Sequence, residues 1–209
     1  MLLGPPASGK GTLADRLSGE FGLSIVSPGD LLRAAHASGT EAGNKADELT
    51  RQGRLVDDTT INGIVGEWLE TKTGDGFVFD GYPRTLGQAS ALESILTKRQ
   101  TPLEVAILLE ADHSVLRQRV LNRAICASCA KIVSLGVHVA SMAEPCPRCG
   151  GRLQRRKDDS PETLERRLEE FAEKTAPLIQ FYESRSLLAR VNTERPSEEV
   201  FQNVRTILE

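Results

Sequence analysis

An apolar stretch at residues 1–3 runs straight into GPPASGKGT at residues 4–12, and a helical pattern opens behind it. Gly4 with Gly9 and Lys10 fits G-x-x-x-x-G-K. A loop of this kind turns backbone N–H groups inward at a helix N-terminus and makes a cradle for phosphate. A plain Gly/Pro turn is the bland alternative, but the strand before and the helix after favour the cradle. Its residues are Ala7, Ser8, Gly9, Lys10, Gly11 and Thr12, with Lys10 expected to reach the β- and γ-phosphates of a nucleotide. Two positions depart from the common pattern. Gly11 follows Lys10 and the hydroxyl arrives only at Thr12, so Mg2+ is expected to be held mostly by phosphates and water. Ala7 stands where such loops often carry glycine; a positive φ there would cost about 1 kcal/mol.

The rest of the chain suits one α/β domain with small insertions. Its 209 residues are enough for a real core. Short apolar runs at 1–3, 24–26, 77–79, 105–109 and 189–191 alternate with helical patterns, as buried parallel strands do. The first run is short for a strand. Asp57–Asp58 can cap a helix carrying Ile61, Ile64, Val65, Trp68 and Leu69 on one stripe, with Trp68 read as core. Ser197 can cap a last helix. Residues 163–185 read as a longer helix that Pro177 kinks or breaks. The alternation implies right-handed βαβ units around a five-stranded parallel sheet flanked by helices. Residues 27–56 and 124–155 break the rhythm, the first helical, the second rich in Cys, Pro, Gly and small residues. They read as inserts into a core made of 1–26, 57–123 and 156–209.

Charge and cysteine usage exclude several classes. Twenty-six Lys+Arg against twenty-nine Asp+Glu leave a net charge of −3, a poor match to a long polyanion such as duplex DNA. No apolar run approaches ~18 residues, so no membrane span is expected. The first residues resemble no secretory signal, and the four cysteines all lie between Cys126 and Cys149, so a reducing cytoplasm is the expected home.

Five motifs occur in order: the phosphate loop, PGDLLR at 28–33, GRLV at 53–56, FDGYPRT at 79–85 with Gln88, and RKDD at 156–159. Together they resemble adenylate kinase, from the first strand to the last helix. The resemblance implies a P-loop kinase fold, with residues 27–56 as a helical nucleoside monophosphate-binding insert and 124–155 as a lid over ATP. It implies reversible Mg2+-dependent phosphoryl transfer from ATP to AMP giving two ADP, in a monomer. On the AMP side it implies Pro28, Arg33, Arg54, Leu55, Val56, Gly81, Tyr82, Pro83, Arg84, Gln88, Arg156 and Arg167. On the ATP side it adds Arg119, Arg123, Ile132, Val133 and Arg195 to the cradle. Pro28 stands where the family commonly has Thr beside the AMP base, so a side-chain hydroxyl is unavailable there. A UMP/CMP-type kinase of the same fold is the runner-up, though these usually carry a short lid without metal.

The residue chemistry agrees on its own terms. Phosphoryl transfer has a loose transition state with charge on the equatorial oxygens, so positive charge and positioning do most of the work. Arginine meets phosphate bidentately. Lys10, Arg84, Arg119, Arg123, Arg156 and Arg167 are therefore the expected catalytic cations. Arg119 and Arg123, at i and i+4, are expected to share a helix face. Asp80 ends an apolar strand, where α/β sheets place ligands, and is expected to order magnesium-bound water. Asp158 and Asp159 are expected to anchor Arg119 or Arg123, or to act at the lid hinge.

Cys126-x-x-Cys129, sixteen residues, then Cys146-x-x-Cys149 is a four-thiolate pattern. Four protein ligands leave no open position, so a structural Zn2+ in a zinc-ribbon-like lid is expected, with redox thiols or a disulfide pair the alternatives and iron not separated from zinc. A nucleotide-gated zinc ribbon that binds nucleic acid is the reading from another class. Residues 130–145 hold one Lys, no Arg and no aromatic, which disfavours it. His36, His113 and His138 match no ligand spacing.

Overall fold

The computed structural model describes residues 1–52, 54–71, 76–156 and 159–209. Its element order is β1 (Leu2–Leu3), α1 (Lys10–Phe21), β2 (Ser24–Val26), α2 (Pro28–Ala37), α3 (Glu41–Arg51), α4 (Asp58–Glu70), β3 (Phe77–Phe79), α5 (Leu86–Lys98), β4 (Ala106–Glu110), α6 (His113–Leu121), β5 (Arg123–Cys126), β6 (Ile132–Ser134), β7 (Leu153–Gln154), α7 (Pro161–Glu170), a π-helical turn (Phe171–Thr175), α8 (Pro177–Glu183), β8 (Leu188–Asn192) and α9 (Ser197–Leu208). Strands β1, β4 and β8 form a parallel sheet in the order β1-β4-β8, and β2 pairs with β3 in parallel. One parallel bridge, Leu2 to Asp80, joins the two pieces. The expected five strands are thus present and parallel, but as a three- and a two-stranded ladder stitched at one point.

Side chains alternate across these strands, as the two-residue period requires. Leu3, Phe79 and Leu108 face a core built with Ile61, Val65 and Leu69 of α4, Leu92 of α5 and Leu178 of α8. Leu2, Val78, Ile107 and Leu109 face the opposite core, against Leu13 and Leu17 of α1 and Phe201 of α9. Burial on both faces explains why the strands read as continuous apolar runs. The carboxyl ends of β1, β3 and β4 therefore open on one edge, where the phosphate loop and Asp80 lie. Trp68 is half-buried against the first core, edge-on to Phe77 at 6.0 Å.

The expected cap of α4 is present: Asp57 accepts from Thr60 N–H at 2.9 Å, and Asp58 is the first helical residue. Two other helix boundaries differ from expectation. Ser197 makes no cap; Pro196 holds the cap position and Ser197 opens α9. The 163–185 helix starts earlier, at Pro161, because Ser160 accepts from Thr163 N–H at 3.1 Å. The α-helical run is broken ahead of Pro177, as expected: α7 ends at Glu170 and α8 begins at Pro177. The turn before it widens, with Ala176 N–H donating to Phe171 O at 2.8 Å, so the missing proline donor is absorbed by a π turn.

Arg119 and Arg123 do not share a helix. Asn122 ends α6, and Arg123 begins β5, paired antiparallel with β6 and β7. The alternation of Ala124 and Cys126 inward with Arg123 and Ile125 between them has the period of a strand. This sheet has its own core of Ala124, Val133, Val139 and Leu153 beside Cys126 and Cys146. Helices α2 and α3 form a hairpin whose close approach needs Gly43; a Cβ there would stand 2.3 Å from the His36 nitrogen.

Candidate active site

The phosphate loop is built on conformations that side chains resist. Gly4 has φ +143°, and a Cβ there would lie 2.6 Å from Leu109 O and 2.7 Å from Ser8 Oγ. Ala7 does adopt the left-handed region, at φ 64°. Gly9, at φ 102°, caps α1. Ser8 is buried inside the loop. Lys10 Nζ folds over it and donates to Gly4 O and Pro5 O, each at 2.8 Å. Burial pulls the Lys10 pKa down to about 7, Asp80 opposes that, and Arg84, Arg167 and Arg123 add to it. Gly11 lies close to Asp80: a Cβ there would meet Asp80 Oδ2 at 3.3 Å, a tight contact. Asp80 itself is raised by burial, against the pull of Lys10 and Arg84.

The FDGYPRT segment, which runs on from the end of β3 into α5, forms the second wall. Gly81 has φ +69°, and a Cβ there would stand 2.9 Å from Arg84 Nη2. The Tyr82–Pro83 peptide is cis. Tyr82 is buried and its hydroxyl donates to Asn62 Oδ1 at 2.8 Å. Arg84 is clamped at three points. Its Nε donates to Gly81 O at 2.8 Å, its N–H to Gln88 Oε1 at 2.7 Å, and its carbonyl accepts from Thr175 Oγ1 at 2.9 Å. Burial lowers the Arg84 pKa and Asp80 opposes it. Ser27 caps α2, which begins at Pro28 and carries Arg33 paired to Asp30. Burial pushes Asp30 up, but Arg33 more than compensates, so its carboxyl titrates below the usual range.

The third wall comes from α6, α7 and the β5–β7 sheet. Arg119 Nη1 donates to Thr193 Oγ1 at 3.1 Å and, more weakly, to Ala7 O at 3.4 Å; its Nη2 bonds Thr193 O. Arg123 makes a two-point pair with Asp159, Nε to Oδ2 at 2.7 Å with a second bond from Nη2 to Oδ1. Arg156 and Arg167 line the same cleft, and their charges act on Asp30 and Lys10 respectively. Lys131 Nζ lies 3.8 Å from Asp15 Oδ2, bringing the antiparallel sheet against α1.

These walls enclose one cleft of about 1140 Å3. Lining it are the phosphate loop from Ala7 to Thr12, Asp80 and all the expected arginines: Arg33, Arg54, Arg84, Arg119, Arg123, Arg156, Arg167 and Arg195. Pro28, Leu55, Val56, Gly81, Pro83, Gln88 and Ile132 line it too. Tyr82 and Val133 do not. Tyr82 packs in the first core, and Val133 turns into the core of its own sheet. Arg195 is exposed, 3.6 Å from Glu199. Gly53 and Asp158, parts of the quoted motifs, lie outside the described residues. Thr175 and Thr193 line the cleft and were not expected there, and neither was Asp58, which does not line it but bonds Thr85 and Gln88. Each is a polar residue at an element end whose partner is far away in sequence, so no local pattern marks it.

The chain covers its relatives almost end to end. A family model described as adenylate kinase matches residues 2–187. The chain belongs to the adenylate kinase family. It is 41% identical over 209 residues to the adenylate kinase of Pseudothermotoga lettingae, covering all of this chain and 96% of that one. It is 41% identical to that of Syntrophotalea carbinolica and 39% to that of Geobacter sulfurreducens, again across the whole chain and 97% of each relative. The reaction class is ATP:AMP phosphotransfer, with Mg2+ accompanying ATP. The runner-up acceptor class, UMP or CMP, is not favoured by these relatives.

The four cysteines form a second site. Their sulfurs all lie within 4.8 Å of one another, Cys126 to Cys149 at 3.5 Å and Cys129 to Cys146 at 3.8 Å. A tetrahedron of metal–sulfur bonds of about 2.3 Å needs sulfurs about 3.8 Å apart, so the donor set fits. The two knuckles repeat one geometry. Ala130 N–H donates to Cys126 O at 3.0 Å and Gly150 N–H to Cys146 O at 2.8 Å. Both donors are left-handed, at φ 56° and 72°. Gly151 leaves room for the cluster; a Cβ there would lie 2.9 Å from Cys126 Sγ.

Proposed function

We propose that the cleft performs direct in-line transfer between MgATP and AMP, with the residues on its three walls in separate roles. The supporting observation is the convergence on one cleft of the phosphate loop, Asp80 and arginines from α2, α6, β5, α7 and the β3–α5 loop. The loop N–H groups and Lys10 hold the ATP phosphates. Arg119, Arg123, Arg156 and Arg167 stabilise the charge spread over the transferring group, and Arg84 and Arg33 hold the AMP phosphate. Gln88, Leu55, Val56 and Pro28 meet the AMP base. Ile132 and Arg195, with backbone at Val133, meet the ATP nucleoside. Asp80 sits where it can accept hydrogen bonds from magnesium-bound water. When bound with ATP, the ion would supply charge neutralisation on the phosphates.

Residues 27–56 act as the AMP insert and 124–155 as the lid over the 1–26, 57–123 and 156–209 core. Cys126, Cys129, Cys146 and Cys149 hold a structural Zn2+ that ties the lid together. Lid closure excludes water, which would otherwise receive the phosphoryl group. Among the described residues no helix is long and apolar enough to cross a membrane. We place the enzyme in the cytoplasm as a monomer acting on ATP, AMP and ADP without nucleic acid. The deciding experiment is a coupled assay with ATP against AMP, UMP, CMP and GMP. AMP should be the preferred acceptor, and a strong preference for UMP or CMP overturns the assignment of the AMP wall.

A further inference from the structure

Asp58 has no place among the phosphate contacts, yet it ties the acceptor wall together. It is the first residue of α4. Its Oδ2 accepts from Thr85 Oγ1 at 2.6 Å and its Oδ1 accepts from Gln88 Nε2 at 2.8 Å. The other end of the Gln88 amide, Oε1, accepts from Arg84 N–H at 2.7 Å. Gly87 makes the approach possible; a Cβ there would stand 2.9 Å from Asp58 Oδ2.

A primary amide can present its oxygen and nitrogen either way round, and its neighbours decide which. A carboxylate only accepts and a backbone N–H only donates. Asp58 and Arg84 therefore demand the same orientation of Gln88; the flipped amide would set oxygen against carboxylate and N–H against N–H. Gln88 is 2% exposed, and among the described residues it keeps one amide hydrogen and one lone pair for a ligand in the cleft. The two purine edges differ in the same sense. Adenine offers an acceptor at ring N1 and a donor at its amine. Hypoxanthine offers a donor at N1 and an acceptor at its carbonyl.

We propose that Asp58 is a specificity-determining positioning residue, which locks Gln88 in the orientation that matches adenine and opposes hypoxanthine for a base seated in one pose. This rests on Gln88 meeting the AMP base. A buried polar group forced against the wrong partner discriminates strongly, whereas a group free to turn does not.

The test compares kcat/KM for AMP and for IMP, with ATP as donor, in wild type, Asp58→Asn, Asp58→Ala and Gln88→Ala. Asparagine can turn its own amide and accept a flipped Gln88, and alanine removes the carboxylate; in both variants the Arg84 N–H alone is left to oppose the flip. Both Asp58 variants should shift the AMP-to-IMP ratio toward IMP by at least about tenfold, the size of one or two misplaced hydrogen bonds. Gln88→Ala should raise KM for AMP. An unchanged ratio in both Asp58 variants, with AMP binding weakened in Gln88→Ala, overturns the lock alone. An unchanged AMP KM in Gln88→Ala overturns the base contact and the lock with it. One measurement needs no variant: in the wild-type protein one Gln88 side-chain amide proton should exchange slowly and its twin fast by NMR. Two equally fast protons overturn the lock.

Discussion

Arg123 and Asp159 face each other in a two-point ion pair whose carboxylate has no exposed side-chain surface, while the guanidinium keeps 12%. The pair joins the first residue of β5 to the start of α7, so it fastens the antiparallel sheet to the core. Removing one member of a shielded pair leaves the other uncompensated, which costs about 3–5 kcal/mol. Asp159→Ala should lower stability by that order in urea unfolding and cut kcat by about tenfold, since Arg123 loses its aim. The double variant Arg123→Met with Asp159→Leu should recover most of the stability and none of the turnover. Recovery of both would show that Arg123 only holds the fold.

Lys10 should couple nucleotide binding to proton uptake. Its ordinary pKa near 10.5 falls to about 7 because burial disfavours the ammonium, with Asp80 opposing. The unfolded chain then binds more protons than the folded one between those values, so this group adds stability as pH rises from about 7 toward 10.5. Bound phosphates restore the charge and with it the proton. Titration calorimetry of ATP binding near pH 8, in buffers of different ionisation enthalpy, should report uptake approaching one proton. Lys10→Met should abolish that uptake and weaken binding. Uptake that persists in Lys10→Met assigns the proton elsewhere.

The features legible in the sequence share one property, that their signal is local. The strands at 24–26 and 77–79 were read to the residue, because burial on both faces leaves an unbroken apolar run. The phosphate loop and the paired C-x-x-C knuckles are set by short-range spacing. What escaped was long-range. Arg119 and Arg123 look like helix neighbours until β5 pairs with β6 a short turn away and with β7 across more than twenty residues of insert. Asp58 reads as half of a capping pair, and only the fold brings Thr85 and Gln88 to it. Ser197 has the right chemistry for a cap and sits one residue too late, behind Pro196. The break ahead of Pro177 was legible, but not that it takes the form of a π turn whose Thr175 bonds Arg84 O.

Thr193 does for the ATP wall what Thr175 does for Arg84. It is 5% exposed, accepts from Arg119 Nη1 at 3.1 Å, and donates to Glu110 O at 3.1 Å. Thr193→Val keeps the shape and deletes both side-chain bonds. It should cost about 1–2 kcal/mol of stability. If Arg119 meets only the donor side, as proposed, the variant should also raise KM for ATP with KM for AMP unchanged. Equal effects on both substrates would make Thr193 a packing residue.

The two cysteine knuckles make a matched pair of tests. Gly150 and Ala130 occupy the same left-handed place, and only alanine pays strain there. Ala130→Gly should therefore stabilise the lid by about 0.5–1 kcal/mol and leave metal content unchanged. Gly151→Ala should do the opposite. Its Cβ would press on Cys126 Sγ and, at 2.5 Å, on Ser128 Oγ, so the first knuckle must open. Bound Zn2+ by elemental analysis should fall below one per chain, and melting temperature should fall with it. If the proposed metal holds the small β5–β7 core together, a chelator should lower the melting temperature of the wild type and Ala130→Gly alike. A melting temperature insensitive to chelator in both proteins would mean that the four thiols hold the lid without a metal.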